Sequence, residues 1–120
     1  LGIPDEMVYV PMHPDALRER GFNQAQVLAA GLSERLGIPV VERLARVGAN
    51  MRQSQQSRAE RLRMVSGQFQ LAEDDRRTLA GKCILLIDDI YTTGSTLEAC
   101  ARLLRRAGAR RVVSLTLARA

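Results

Sequence analysis

One run constrains the fold of this chain more than any other: Ile84-Leu85-Leu86-Ile87, then Asp88-Asp89, two further residues, then Thr92-Thr93-Gly94-Ser95-Thr96. The apolar stretch Cys83 to Ile87 is short and β-branched enough to read as a central parallel strand that ends where the acids begin. Asp88 and Asp89 then stand at a strand's carboxyl end, the edge where open α/β sheets bind ligands. Beyond the hydroxyl-rich segment, Leu97, Cys100, Ala101 and Leu104 recur on one helical face, and Gly108 closes the helix. Ser95 with Glu98 three residues on fits a capping box, which sets the helix start at Ser95. A helix N-terminus carries roughly half a positive charge and several unpaired N–H groups, so Thr92 to Thr96 suit a terminal phosphate, with Gly94 letting the backbone approach closely. The two carboxylates have three readings: structural, ligands of a hydrated Mg²⁺, or acceptors of hydrogen bonds from a sugar diol. Side chains of neighbouring strand residues diverge, so both reach one ligand only if the chain bends after Asp88. A ribose 5-phosphate carries both the diol and the phosphate.

Elsewhere the pattern is that of an α/β protein. Met7 to Val10 reads as a first strand leaving into a loop at Pro11 and Pro14. Leu28, Leu32 and Leu36 repeat every fourth position, which predicts a helix over 25–36 stopped by Gly37 and Pro39. Val40 to Leu44 reads as a second strand and completes a βαβ unit. From Arg46 to Arg63 the chain is rich in Arg, Gln and Ser with almost nothing apolar before Leu62, and reads either as a mobile surface insertion or as a lid over a ligand. Phe69 and Leu71 alternate with glutamines as in a short edge strand, Glu73-Asp74-Asp75 reads as a solvated acidic turn, and Val112 to Leu117 supplies the last strand.

With 120 residues, one domain spanning 1–120 is expected. The net charge is +5, and Lys82 is the only lysine, so the positive surface is almost wholly guanidinium, a group suited to phosphate and carboxylate. Most of these arginines read as solvated helix faces; DNA stays open as a partner without being indicated, and so does a homodimer. Aromatic content is 3%, too thin for a base-stacking platform. Cys83 and Cys100 lack any CxxC spacing and read as reduced, buried thiols, which makes a cytoplasmic setting the default. No apolar run approaches a membrane span, and no charged-then-apolar leader opens the chain. The first residue is Leu1 rather than Met, so the chain reads as part of a longer one.

Other strand-acid motifs do not fit. A P-loop needs Lys followed by Ser or Thr after its second glycine, yet Gly94 is followed by Ser95, and GxGxxG is absent too. Receiver domains also place two acids after an apolar strand, but they need an acceptor Asp on a later strand, and no Asp follows Asp89. The complete run instead resembles the phosphoribosyl-diphosphate (PRPP) motif of type I phosphoribosyltransferases: apolar strand, paired acids, two variable residues, Thr-Thr-Gly-x-Thr. Val10-Pro11-Met12-His13-Pro14, Arg20-Gly21-Phe22-Asn23-Gln24, Gln53 and Ser57-Arg58-Ala59-Glu60-Arg61 extend the resemblance to the ComF branch and to essentially the whole chain.

That resemblance implies a mainly parallel sheet flanked by helices with a flexible hood, and a Cys-rich zinc module before Leu1. It implies that Asp88 and Asp89 contact the ribose 2- and 3-hydroxyls, directly or through Mg²⁺, and that Thr92, Thr93, Gly94, Ser95 and Thr96 bind the 5-phosphate. Pro11 to Asn23 would be the pyrophosphate loop with Arg18 and Arg20 as donors, Arg20 the stronger of the two. Arg46 to Arg63 would be the hood, its arginines, Arg46 and Arg52 among them, meeting pyrophosphate and excluding water from an oxocarbenium-like centre. The hood departs from the branch at Asn50, Met64 and Ser66, where Thr, Asn and a basic residue are usual, which leaves binding better supported than turnover. Thr92 replaces the acid of hypoxanthine-type relatives, which disfavours a 6-oxopurine acceptor. His13, the only histidine, reads as a loop or core residue rather than a base. Two functions follow: a Mg²⁺-dependent phosphoribosyltransferase with an unknown acceptor, or a non-catalytic PRPP-binding module of a competence (DNA uptake) system.

Overall fold

The apolar run at Cys83 becomes the central strand of a parallel sheet, as its composition demands. The computed structural model describes residues 2–47, 68–72, 79–91 and 94–119. Its elements are β1 (Glu6–Tyr9), α1 (Pro14–Arg20), α2 (Gln24–Leu36), β2 (Leu44–Arg46), β3 (Phe69–Leu71), β4 (Cys83–Tyr91), α3 (Ser95–Arg106) and β5 (Arg111–Arg119). The main sheet runs β1-β4-β5, parallel throughout, with Glu6 opposite Ile84 and Cys83 opposite Arg111. Alternation along β4 sends its side chains into two cores. Ile84 and Leu86 enter one with Leu97, Cys100 and Leu104 of α3, while Leu85 and Ile87 join Met7, Ala25 and Ala29 under α2. Fully burying each such Leu or Ile contributes roughly 1.5–3 kcal/mol, so a strand covered on both faces must be nearly all apolar. Among the described residues no helix is long and apolar enough to cross a membrane.

Three expectations change. β4 does not stop before the acids: the ladder continues, with Asp88 opposite Thr116 and Ile90 opposite Ala118, because β5 is long enough to pair beyond the apolar run. Secondly, Val40 to Leu44 is not a strand of the main sheet. Val40 makes a single parallel bridge to Met7, and Leu44–Arg46 then pairs antiparallel with Phe69–Leu71 in a separate two-stranded ribbon. Between the bridge and the ribbon Arg43 turns inward, its Nε and Nη2 on the Glu6 carboxylate of β1 at 2.6 and 3.0 Å, so a side-chain ion pair rather than a backbone ladder ties this segment to β1. Thirdly, the stretch after Pro11 holds a helix, α1. Pro14 occupies its first turn, His13 Nδ1 accepts from the Asp15 N–H at 3.1 Å, and Gly21, at φ 89°, closes it with its N–H on the Leu17 carbonyl. Pro11 and Pro14 read as a loop because proline is as much a helix opener as a breaker. His13 is thus a helix cap. The helix α2 matches expectation, beginning one residue earlier than its leucine spacing indicates, at an Asn23 cap.

At the amino end of the sheet a buried ion cluster joins three segments. Glu6, 1% exposed, accepts from Arg43 and, at 3.1 Å, from Lys82 Nζ just before β4. Burial alone would raise the Glu6 pKa, but its hydrogen bonds to Arg43 and Lys82 outweigh that and hold it below the ordinary value.

Candidate functional site

The opposite, carboxyl end of the same strands opens into a cavity of about 250 Å³. β1 runs out into Val10, Pro11 and Met12 on one side; β4 supplies Asp88 and Asp89; the first turn of α3 supplies Thr96. Asn23 braces this arrangement. Its side-chain N–H donates to the Val10 carbonyl at 3.1 Å while its Oδ1 caps α2 through the Ala25 N–H at 3.0 Å. Val10 N–H in turn donates to the Ile87 carbonyl at 2.8 Å, so the loop is registered against the strand just before Asp88.

Both carboxylates reach the cavity although they are neighbours on a strand. The Asp89 N–H donates to Asp88 Oδ1 at 2.9 Å, which turns the Asp88 carboxylate along the chain. Asp88 is pushed up to about 7, chiefly by burial and further by the Asp89 carboxyl group, against the opposing pull of the Asp89 N–H and Arg46. Asp89 is more open, and Arg20 Nη1 stands 3.7 Å from its Oδ2. Two adjacent carboxylates, one of them pushed up by burial, suit a ligand that brings positive charge or hydroxyl donors. Among the described residues no group of three His, Cys, Asp or Glu could hold a metal. Two adjacent carboxylates fit Mg²⁺ of the kind held by one or two carboxylates, with water and ligand phosphate completing the octahedron.

Arg46 belongs to the same cavity, and the rest of the stretch read as a hood, from residue 48 on, lies outside the described residues. It lies on β2, with its guanidinium 5.1 Å from the centre of the Phe69 ring and Nη2 donating to Gln68 Oε1 at 3.0 Å. Its Nε is buried without a hydrogen-bond partner. Burial lowers its pKa, while nearby Cys100 and Asp88 pull the other way. A half-buried guanidinium lining an open cavity is equipped for an anion. Arg18 is not brought there: it is largely exposed and paired with Asp15 one turn back on α1. Its spacing from Arg20 sets it on a different side of a helix that the loop reading did not anticipate.

The turn that leads into α3 is partly in view. Gly94, at φ 81°, is the N-cap of α3, and no side chain caps the helix there. The expected capping box is therefore absent: Ser95 is the first helical residue, and the Glu98 N–H donates to the Gly94 carbonyl at 2.9 Å. A left-handed conformation at this turn favours glycine over any residue with a Cβ. Thr96 lines the cavity and Ser95 is buried behind it. Thr92, Thr93 and Arg52 lie outside the described residues, as do the rest of the stretch from residue 48 to 67, with Asn50, Met64 and Ser66, and the acidic triplet Glu73 to Asp75. Cys100 is a fully buried thiol pushed up to about 12, by burial first and by Asp88 next, and neither cysteine is in a disulfide. Sequence reasoning assigned no role to Asn23; a cap-forming residue directly before a helical repeat was its one local signal.

Comparison with known proteins agrees with this geometry. A family model described as "Phosphoribosyl transferase domain" matches residues 19–120. Competence protein ComFC of Bacillus subtilis (strain 168) is 39% identical over 114 residues, covering 94% of this chain and 44% of that protein. Competence protein F of Haemophilus influenzae is 33% identical over 121 residues, covering 100% of this chain and 52% of the relative. The chain thus spans about half the length of the curated relatives it matches. Among solved structures, the allosteric regulatory enzyme of purine biosynthesis superposes with a TM-score of 0.62 at 25% identity, covering 97% of this chain and 22% of that one. With its parallel sheet, its acid-bearing central strand and these relatives together, the chain belongs to the phosphoribosyltransferase domain family, in the ComF-like branch.

Proposed function

We propose that the cavity binds PRPP with Mg²⁺ and transfers its 5-phosphoribosyl group to a nucleophile with release of pyrophosphate. The observation that carries this reading is the convergence of Asp88, Asp89, Thr96, Arg20 and Arg46 on one cavity at the carboxyl end of parallel strands. Asp88 and Asp89 take the ribose 2- and 3-hydroxyls or the metal, and the turn from Thr92 to Thr96 takes the 5-phosphate at the start of α3. Arg20 and Arg46 line the same cavity, where they would neutralise the leaving pyrophosphate. In the reaction the bond from C1 to the pyrophosphate oxygen breaks, its electron pair leaves with pyrophosphate, and the nucleophile's pair forms the new bond to C1. Mg²⁺, when bound, offsets negative charge on the diphosphate. The chain's own contribution is to fix the diol and the phosphate at two points, so that C1 is held between them.

Titration calorimetry of PRPP with Mg²⁺ tests the binding, and an assay of pyrophosphate release with candidate amines and bases tests the turnover. Saturable binding that is lost in Asp88→Asn/Asp89→Asn supports the proposal; no binding, or equal binding by that variant, overturns it. A second reading is favoured by the relatives, which carry the names of competence and DNA utilization proteins: a non-catalytic PRPP-binding module of a DNA-uptake system. It requires PRPP binding without pyrophosphate release under any acceptor.

A further inference from the structure

Asn23 does two things where its position requires one. A helix cap needs an acceptor, and Asn23 Oδ1 supplies it to the Ala25 N–H at 3.0 Å. Ser, Thr or Asp would serve α2 about as well. Among these capping residues, Asn alone sets an amide N–H beside the acceptor. Here that N–H reaches 13 residues back to the Val10 carbonyl at 3.1 Å, and Asn23 is 6% exposed. The bond joins the two ends of the segment 11–22 and closes it into a loop with its neck at Val10 and Asn23.

What the loop carries gives the neck its importance. Its helix, α1, buries none of its residues, so apolar packing does little to hold it. Among the described residues, the hydrogen bonds of 11–22 are made within the segment: Leu17 N–H to the His13 carbonyl, Gly21 N–H to the Leu17 carbonyl, Asp15 N–H to His13 Nδ1, and Arg18 to Asp15. A segment bonded mainly to itself moves as one body about its ends. The Val10 end is fixed to the sheet, because the Val10 N–H donates to the Ile87 carbonyl at 2.8 Å, one residue before Asp88. The Asn23 end is anchored by α2 through buried Ala25 and Ala29, and the Asn23 side chain sets the spacing between the two. Arg20 is the last residue of α1, three before Asn23, and its Nη1 stands 3.7 Å from Asp89 Oδ2.

We infer that Asn23 is a positioning residue for the pyrophosphate half of the site: its side chain clasps the neck of the loop and thereby sets Arg20 beside Asp89. The inference rests on the proposed PRPP reading and deepens it. Both ends of the Asn23 amide are engaged within the protein, so its effect on a ligand passes through Arg20. That effect is selective. Pyrophosphate, which Arg20 would meet, depends on the clasp, whereas the ribose phosphate, which the end of β4 and the start of α3 would hold, does not.

Calorimetry with PRPP and with its two halves, pyrophosphate and ribose 5-phosphate, each with Mg²⁺, tests it. Asn23→Ser keeps a capping oxygen for α2 but ends one bond short of the Val10 carbonyl. It is expected to weaken pyrophosphate and PRPP by about tenfold, the scale of one charge-assisted hydrogen bond, and ribose 5-phosphate by less than about twofold. In an Arg20→Ala background the same substitution is expected to change pyrophosphate affinity by less than about twofold, because the residue through which it acts is gone. A merely structural loss would weaken both halves alike and persist without Arg20. Should Asn23→Ser melt early, Asn23→Asp is the substitute: its carboxylate caps α2 and offers Val10 no N–H. Its charge opposes both anions, so the ratio of the two affinities reports the clasp. No binding of PRPP by the unmodified chain overturns the underlying reading. PRPP binding by the unmodified chain, with that ratio unchanged in the variants or with the full effect surviving in Arg20→Ala, overturns this inference alone.

Discussion

The two ends of the parallel sheet each hold a carboxylate near an arginine, buried at one end and half-buried at the other, and they treat it oppositely. At the amino end Glu6 is enclosed by Arg43 and Lys82, and its pKa is held below the ordinary value. At the carboxyl end Asp88 faces Asp89 and a more distant Arg46, and its pKa is raised to about 7. The first end is internally neutralised and closed; the second sets two adjacent carboxylates and two arginines, Arg20 and Arg46, around an open cavity. Charge that the fold needs is compensated by the fold, and charge that a ligand needs is left for the ligand.

Breaking the closed end should have the largest effect. Glu6→Gln leaves two cations against a neutral amide and is expected to cost roughly 3–5 kcal/mol in urea unfolding, the scale for breaking a buried pair. The fraction that remains folded should bind PRPP as before, whereas loss of binding without loss of stability would erase the contrast between the ends. Next comes the open end, where Asp88→Asn/Asp89→Asn should weaken PRPP binding at least 100-fold by calorimetry without lowering the melting temperature.

Acidity sharpens the comparison further. Because the folded pKa of Asp88 is raised from 3.8 to about 7, its favourable contribution is fully present below about 3.8 and is gone above about 7. Glu6 runs the other way: its contribution is present above 4.5 and is lost as pH falls through its lowered folded pKa. Stability measured from pH 5 to 8 should therefore fall with rising pH by roughly 1–3 kcal/mol through Asp88, and Asp88→Asn should flatten that slope. The smallest effect belongs to Arg18→Ala, expected to change PRPP affinity less than twofold and stability by under about 0.5 kcal/mol, since its pair with Asp15 is exposed. A large loss of affinity in that variant would bring Arg18 back to the cavity.

How much of this was legible beforehand differs by region. The parallel central strand and the helices over 24–36 and 95–106 follow from periodicity, because each buries a face of its own, while the last strand follows from its β-branched run alone, its apolar Val113, Leu115 and Leu117 standing exposed. The helix α1 buries none of its residues, so it leaves no apolar stripe to read, only a proline and a cap. The β2–β3 ribbon was obscured because its pairing joins Leu44 to Leu71 across a long intervening stretch. Nothing local in the sequence tells which ring Arg46 meets, and only the ribbon shows its guanidinium beside Phe69.

By itself, the sequence determined the contiguous chemistry from Cys83 to Thr96, since strand, acids and helix start are neighbours whose relative placement follows from local backbone preferences. Tertiary structure alone decided which side chains from elsewhere meet there. Arg20, Asn23 and Arg46 reach the cavity of Asp88 and Asp89 through long-range packing, just as Arg43 and Lys82 reach Glu6 across 37 and 76 residues. Such meetings depend on which segments lie side by side in three dimensions, and local periodicity carries no record of that.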